Sequence, residues 1–313
     1  MKDYINSQHR YYTADFYYKK TYKSKVARIS LNGNFTCPNR DGTISNKGCI
    51  FCSDKGSGDF GGDKNDSLKT QFSKIKDIIS IKWPKAKYIV YFQANTNTYA
   101  PLNKLKALYE EAISLDPNII GINIATRADC ISDELIIYLQ ELNEKCHVTI
   151  ELGLQSANDN TAKLINRGYL LNCFTDTVKR LRKANIETIV HIINGLPYET
   201  KKDMLDTINY INSIDIQGIK IHSLYILKNS IISKMYEDNL FTLLSKDEYI
   251  DIITEQIALL KDDIVIYRIG GDAPINDLIA PTWGIKKLSL MNDIDKEMKR
   301  KNYFQGCKYK KSL

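Results

Sequence analysis

An α/β fold, with a parallel sheet and helices packed outside it, is what this sequence predicts, and three observations predict it. Short apolar, β-rich runs alternate with helical patterns along most of the chain. The runs are continuous, as strands buried on both faces should be. No internal repeat or low-complexity linker interrupts the rhythm, so successive βα units are the simplest account.

In order, the strands fall at Val26–Leu31, Tyr88–Gln93, Ile119–Ala125, Val148–Leu154, Thr188–Ile193 and Gly218–Leu224. Helical patterns separate them near 67–82, 101–115, 132–144, 159–166 with 172–184, and 201–213. A helix around 246–261 leads to Ile264–Ile269, a candidate for one further strand. With 313 residues, 43% of them hydrophobic, the chain can bury one large core as a single catalytic domain with terminal additions. It has no apolar run of about 18 residues that would span a bilayer. We therefore expect a soluble, cytoplasmic protein with no membrane partner and with reduced thiols.

Three of the seven cysteines stand in one loop after the first strand, Cys37-Pro-Asn-Arg-Asp-Gly42 and Gly48-Cys49-Ile-Phe-Cys52, and no fourth follows at ligand spacing. A structural zinc site closes with four ligands. A four-cysteine iron–sulfur cluster also uses every corner. Three thiolates leave one position open for chemistry. A zinc ribbon would need a second cysteine pair, yet Cys130, Cys146, Cys173 and Cys307 are singly dispersed and read as small core or surface residues. A disulfide framework is disfavoured by the odd count and the absence of a visible signal peptide. An open iron–sulfur cluster is the reading these residues support best.

Reactive groups in parallel βα folds collect at the carboxyl ends of the strands. Here each strand ends in polar residues: the cysteine loop, Gln93 to Thr98, Thr126 to Asp129, Glu151 to Ser156, His191 to Pro197, and Lys220 to Ser223. Singly, each could be a turn or a cap. Six on one rim, one of them the cysteine loop, point to a site.

These motifs, with Gly56-Ser-Gly-Asp-Phe60, Arg167-Gly168, Gly195-Leu-Pro197, Gly271-Asp-Ala-Pro274 and Ala280-Pro-Thr-Trp283, make the chain resemble radical S-adenosylmethionine (SAM) enzymes. The likeness is specifically to the YhcC/YtqA-type group, relatives of the catalytic subunit of Elongator. That group shares the long first cysteine gap of eleven residues. The resemblance implies a partial (β/α)6 TIM-like barrel with an N-terminal extension at 1–25, a barrel at 26–262 and a C-terminal extension with a basic tail at 263–313. It implies a 4Fe-4S cluster on Cys37, Cys49 and Cys52, with SAM on the open iron yielding a radical that abstracts hydrogen from an unactivated carbon. By the same resemblance Phe51 meets the adenine, Ala94, Asn95 and Thr96 meet the methionine amino group, and Gln155 with Arg167 meets ribose and carboxylate. Glu151 and His191 belong to the same cofactor set, although relatives often carry an acidic residue in place of His191. The electron donor implied is of the flavodoxin or ferredoxin type.

Lys220 and His222 leave the same face of the sixth strand. If that face points inward, an unpartnered lysine would be costly, which suggests an anionic substrate with Arg268 joining the pair. A structural ion pair of Lys220 with Glu151 is the alternative. The resemblance implies a transfer RNA substrate, namely conversion of 5-carboxymethylaminomethyluridine at the wobble position to 5-aminomethyluridine. Cations interleaved with aromatics at His9–Lys25 and over 296–311 suit stacked bases and phosphates, or form an ordinary solvated surface. A radical enzyme acting on a small anionic metabolite, and a non-catalytic RNA-binding zinc protein, remain the other readings.

Overall fold

The computed structural model describes residues 3–5, 9–53, 55–56 and 58–310. Its strands are β1 (Val26–Leu31), β2 (Lys87–Phe92), β3 (Ile119–Thr126), β4 (His147–Gln155), β5 (Glu187–Asn194), β6 (Gly218–Ser223), β7 (Ile226–Leu227), β8 (Val265–Ile269) and β9 (Leu278–Ala280). The α-helices are α1 (Ala14–Tyr22), α2 (Leu68–Lys82), α3 (Leu102–Ser114), α4 (Asp133–Lys145), α5 (Asp159–Leu164), α6 (Leu171–Lys183), α7 (Lys201–Ser213), α8 (Ile231–Glu237), α9 (Lys246–Leu259) and α10 (Lys287–Arg300). All six expected strands are present. The segment beginning at Val265 adds a seventh to the same sheet.

That sheet runs β1-β2-β3-β4-β5-β6-β8, every neighbouring pair parallel. It curls into a partial barrel, with β1 and β8 as its edges. Alternate residues explain how it is held. Ile29, Val90, Ile122, Ile150, Val190 and Ile219 face outward into one continuous apolar core under the helices. Their neighbours Arg28, Tyr91, Asn123, Glu151, His191 and Lys220 lie on the opposite, inward face, where polar groups are interspersed with residues such as Ile193. Burial of the outward set in a close-packed layer is the main stabilising term.

The open seam is covered by the N-terminal segment. Ile266 of the edge strand β8 donates its N–H to the Tyr12 carbonyl at 2.8 Å, and α1 then lies across both edges. Tyr18 is buried against Val26 and Ile89, with Tyr17, Tyr22 and Tyr267 around it. Tyr4 stacks on Tyr12 with ring centres 4.9 Å apart. An unpaired strand edge invites association, and these rings close it. Of the N-terminal aromatics expected to suit stacked bases, Tyr11 and Tyr18 are buried in this packing, while Tyr12, Phe16, Tyr17 and Tyr22 are half-buried.

The basic tail is packed on one side, with Lys296, Lys299, Arg300, Lys308 and Lys310 exposed. Its first part is the end of α10, whose Leu290, Ile294 and Met298 are buried in the core. Lys301 donates to Asp251 at 2.6 Å, and Arg300 pairs with Glu297. Lys308 lies 4.2 Å from the centre of the Tyr303 ring. Lys311 falls outside the described residues. Among the described residues no helix is long and apolar enough to cross a membrane.

Candidate active site

The carboxyl ends of the strands converge on one cavity, and Cys37, Cys49 and Cys52 line it together with Gln155, Arg167 and Lys220. The cysteine loop has no helix or strand of its own and is fastened by hydrogen bonds instead. Ile44 donates its N–H to the Pro38 carbonyl, and Gly48 to the Asn39 carbonyl, each at 2.7 Å. The buried Asn39 amide donates to the Asn166 carbonyl at 2.6 Å and to Cys49 Sγ at 3.5 Å. Asn166 returns a bond to the Gly48 carbonyl at 2.7 Å, tying the loop to the end of α5. On the far side Gly56 has φ +60, and a Cβ there would lie 1.9 Å from Asn95 Oδ1. Only glycine fits that position.

The end of β4 is held by Arg167. Its Nη1 donates to the Leu154 and Ser156 carbonyls and its Nε to the Tyr169 carbonyl, which fixes Gln155 at φ +59 between them. The guanidinium groups of Arg127 and Arg167 lie 5.0 and 4.7 Å from the centre of the Tyr169 ring. The Tyr169 hydroxyl donates to the Gly153 carbonyl.

Glu151 forms the lumen floor. Its Oε2 accepts from Lys220 Nζ and from His191 Nε2 at 2.8 Å, while Oε1 accepts from Asn123 at 2.8 Å. Lys220 also donates to the Tyr91 hydroxyl at 3.3 Å. Burial would raise the Glu151 carboxyl, but Lys220, His191 and Arg28 outweigh it and hold the group well below the usual range. Burial and the Lys220 charge push His191 down to about 4 despite its bond to Glu151. At neutral pH His191 is thus uncharged and gives its Nε2 proton to the carboxylate, leaving Nδ1 as an acceptor. His222 is likewise held neutral by burial and by Arg268, and its Nε2 is buried without a hydrogen-bond partner.

The Radical SAM superfamily model matches residues 41–211, and its C-terminal domain model matches 216–300. The chain belongs to the radical SAM superfamily. Within it the chain is 43% identical to the uncharacterized protein YtqA of Bacillus subtilis, covering 97% of this chain and 94% of that one. It is 33% identical to protein YhcC of Escherichia coli over 88% of each, which places it in the YhcC/YtqA group. Over 46% of its length it is 28% identical to tRNA-2-methylthio-N(6)-dimethylallyladenosine synthase of Clostridium novyi, covering 32% of that protein. Among solved structures, the Elp3 of the archaeon Methanocaldococcus infernus superposes with a TM-score of 0.67 at 17% identity. That match covers 90% of this chain and 64% of the other, and establishes the common fold.

The residues present fit the cofactors that a radical SAM protein implies. Among the described residues no three His, Cys, Asp or Glu side chains converge on a single ion. Cluster cysteines instead bind separate iron corners, as three thiols spread around one cavity can. Contact with Cys52 and burial push the Cys49 thiol well above its ordinary range, so loading the site must release protons. Arg127 and the Asn39 amide stand ready to offset thiolate charge.

The residues expected to meet SAM are brought together unevenly. Phe51, Asn95, Thr96, Gln155, Arg167 and His191 line the cavity. Ala94 is buried against Gly58 behind the rim. Asn95 spends its side-chain amide on the Phe35 carbonyl at 3.0 Å, and Arg167 has only Nη2 uncommitted to backbone carbonyls. Glu151 and Lys220 engage each other, which corrects the inference that Lys220 lacks a partner: its buried counter-ion is a side chain of this protein. Arg268 pairs with Asp272 at 3.2 Å. Sequence reasoning passed over Arg28, Tyr91, Asn123 and Tyr169. A lone arginine inside an apolar strand was the available signal, because a charge there must face something other than the core.

Proposed function

We propose that this radical SAM protein modifies transfer RNA, converting 5-carboxymethylaminomethyluridine at the wobble position to 5-aminomethyluridine in the cytoplasm, with a flavodoxin- or ferredoxin-type electron carrier. The observation that carries this reading is a cavity lined by three cysteines together with Arg167, Lys220 and Arg268, which give it a cation-rich floor. Such a floor suits a carboxylate-bearing group. The similarity to a tRNA-modifying synthase and to Elp3 supports it.

Cys37, Cys49 and Cys52 would hold the 4Fe-4S cluster, and Phe51, Thr96, Gln155 and Arg167 would border SAM. When bound, the pair supplies hydrogen-atom abstraction from carbon. The hydrogen would leave the methylene between nitrogen and carboxylate. Loss of one electron to the carrier and of one proton then gives a C=N bond, and water splits it into the amine and glyoxylate. His191, neutral and oriented by Glu151, offers Nδ1 to accept the proton. Lys220, locked to Glu151, keeps the floor rigid.

Mass spectrometry of nucleosides from bulk transfer RNA, from cells with and without this protein, tests the reading. Loss of the protein should accumulate 5-carboxymethylaminomethyluridine at the expense of the aminomethyl form. Identical nucleoside profiles would remove the proposal. Action on a small anionic metabolite is the second reading, favoured by the packing of the terminal aromatics against the fold. Salt-dependent binding of transfer RNA separates the two, because phosphate contacts weaken steeply as salt rises.

A further inference from the structure

Three sequence motifs far apart in the chain, ending at Phe60, Pro274 and Trp283, contribute to one hollow of about 200 Å³. Phe60, Gly271, Asp272 and Pro281 line it. Phe60, Ser223, Tyr225 and Asp272 border both this hollow and the cysteine cavity, so the two spaces adjoin. The wall is firmly held. Strand β7 pairs antiparallel with β9, the Gly271 N–H donates to Ser223 Oγ at 3.2 Å, and Trp283 Nε1 donates to the Leu244 carbonyl at 3.1 Å. The Tyr225 ring lies so close to Gly271 that a Cβ there would stand 2.7 Å from it, and glycine alone permits that approach. The lining is otherwise apolar and partly open: Phe60, Ile275 and Ile285 are exposed, and a Cβ on Gly284 would meet nothing within 4 Å. Among the described residues its one charged side chain is Asp272, already taken by Arg268 at 3.2 Å and Lys287 at 2.9 Å.

These properties define an occupant. It is uncharged, because the lining has no spare charge to match an ion, and burying an unmatched ion is costly. It is a ring, because the hollow offers the aromatic faces of Phe60 and Tyr225 with only small residues, Gly271, Ala273 and Gly284, beside them. Neither the hollow nor the cysteine cavity, at about 220 Å³, reaches alone the roughly 300–1,000 Å³ of an ordinary ligand site; joined, they do. We infer that the hollow holds the uncharged ring of the substrate, a nucleobase stacked on Phe60, while the substituent that reacts passes the shared wall into the cysteine cavity. The inference rests on the proposed reading of the substrate as a modified uridine, and adds where its ring is held. A base in a polynucleotide must leave its stack to reach a reacting group enclosed in protein. Phe60 replaces the stacking that it gives up.

The test uses the anaerobic, cluster-loaded protein with SAM and no reductant. Calorimetry measures the binding of three probes: N-methylglycine, which copies the reacting substituent without a ring, uridine, and the nucleoside 5-carboxymethylaminomethyluridine. The modified nucleoside should bind roughly 5- to 150-fold tighter than N-methylglycine, the range that one stacked base contributes. Phe60→Ala should lose that advantage and Phe60→Tyr should retain it. Neither should lower the melting temperature, since the Phe60 side chain is exposed. Gly284→Leu should fill the hollow and weaken both nucleosides, while N-methylglycine binding, cluster iron content and affinity for SAM stay at wild-type levels; a merely structural glycine would move all of these together. A modified nucleoside that binds no tighter than N-methylglycine, or wild-type nucleoside affinity in both Phe60→Ala and Gly284→Leu, would overturn the base site. Phe60-dependent binding of uridine with no gain from the carboxymethylaminomethyl group would support the base site and sink the proposed reaction instead.

Discussion

The two faces of the same seven strands do opposite work. Outward, Ile29, Val90, Ile122, Ile150, Val190 and Ile219 form an unbroken apolar layer beneath the helices. Inward, one residue along each strand, Arg28, Tyr91, Asn123, Glu151, His191 and Lys220 form a polar cluster in which nearly every group is the partner of another. The outer face gains stability from area removed from water, while the inner face contributes only if its charges stay matched. One-residue alternation thus separates folding energy from chemistry within a single element.

The largest way to break that separation is to unbalance the floor. Glu151→Ala leaves Lys220 buried with no counter-ion and removes the carboxylate nearest Arg28, which should cost about 3–5 kcal/mol in urea denaturation. Replacing Glu151 and Lys220 together by apolar residues of similar volume should recover most of that loss. If Glu151→Ala unfolds no more easily than wild type, the inner cluster is not coupled to folding. Lys220→Ala strands Glu151 less severely, because His191, Asn123 and Arg28 still surround the carboxylate.

On the opposite face of the same strand, Ile150→Ala opens a cavity in a fully buried layer and should cost about 2–5 kcal/mol. Its affinity for SAM, measured by calorimetry, should stay within about twofold of wild type, since a difference of about 0.4 kcal/mol separates twofold-different affinities. A large loss of SAM affinity would show that the two faces are not energetically separate.

How far this was legible in the sequence follows from the same alternation. The strands were readable because their apolar residues dominate the pattern; β4, expected at Val148–Leu154, spans His147–Gln155. The cysteine loop and the polar strand ends were readable because they stand outside that pattern. The floor was not, since a single arginine or tyrosine amid isoleucines reads as noise until the fold shows which face it occupies. Partnering was also hidden: Lys220 and Glu151 are 69 positions apart, and only the closing of the sheet sets them in contact. The termini were ambiguous for a related reason. Tyr17, Tyr18 and Tyr22 beside lysines carry the composition of a nucleic-acid surface, and the open seam between β1 and β8 buries Tyr18 with Tyr17 and Tyr22 packed against it. In α10 the spacing of Leu290, Ile294 and Met298 was the sign of a buried helix face beneath the lysines.

The smallest effect expected in wild type is its pH dependence, because a lumen group and a rim group act with opposite sign. His191, at about 4 against an ordinary 6.5, binds its proton more tightly when the chain is unfolded. Its contribution is complete above about pH 6.5 and is lost as pH falls towards 4. Glu199 lies outside the lumen, bonded to Ser156, and burial raises its carboxyl from 4.5 to about 7 against the bonds from Ser156 and Thr161. The folded chain therefore holds that proton more tightly, and stability falls as pH rises through the window from 4.5 to 7. Over the shared range the two slopes oppose each other, and thermal unfolding of wild type should change little with pH. His191→Gln should uncover a melting temperature that falls as pH rises, and Glu199→Gln one that rises with pH up to about 6.5. Parallel profiles for the two variants would mean that the inner face does not hold its histidine uncharged, and with it would go the case for Nδ1 as the proton acceptor.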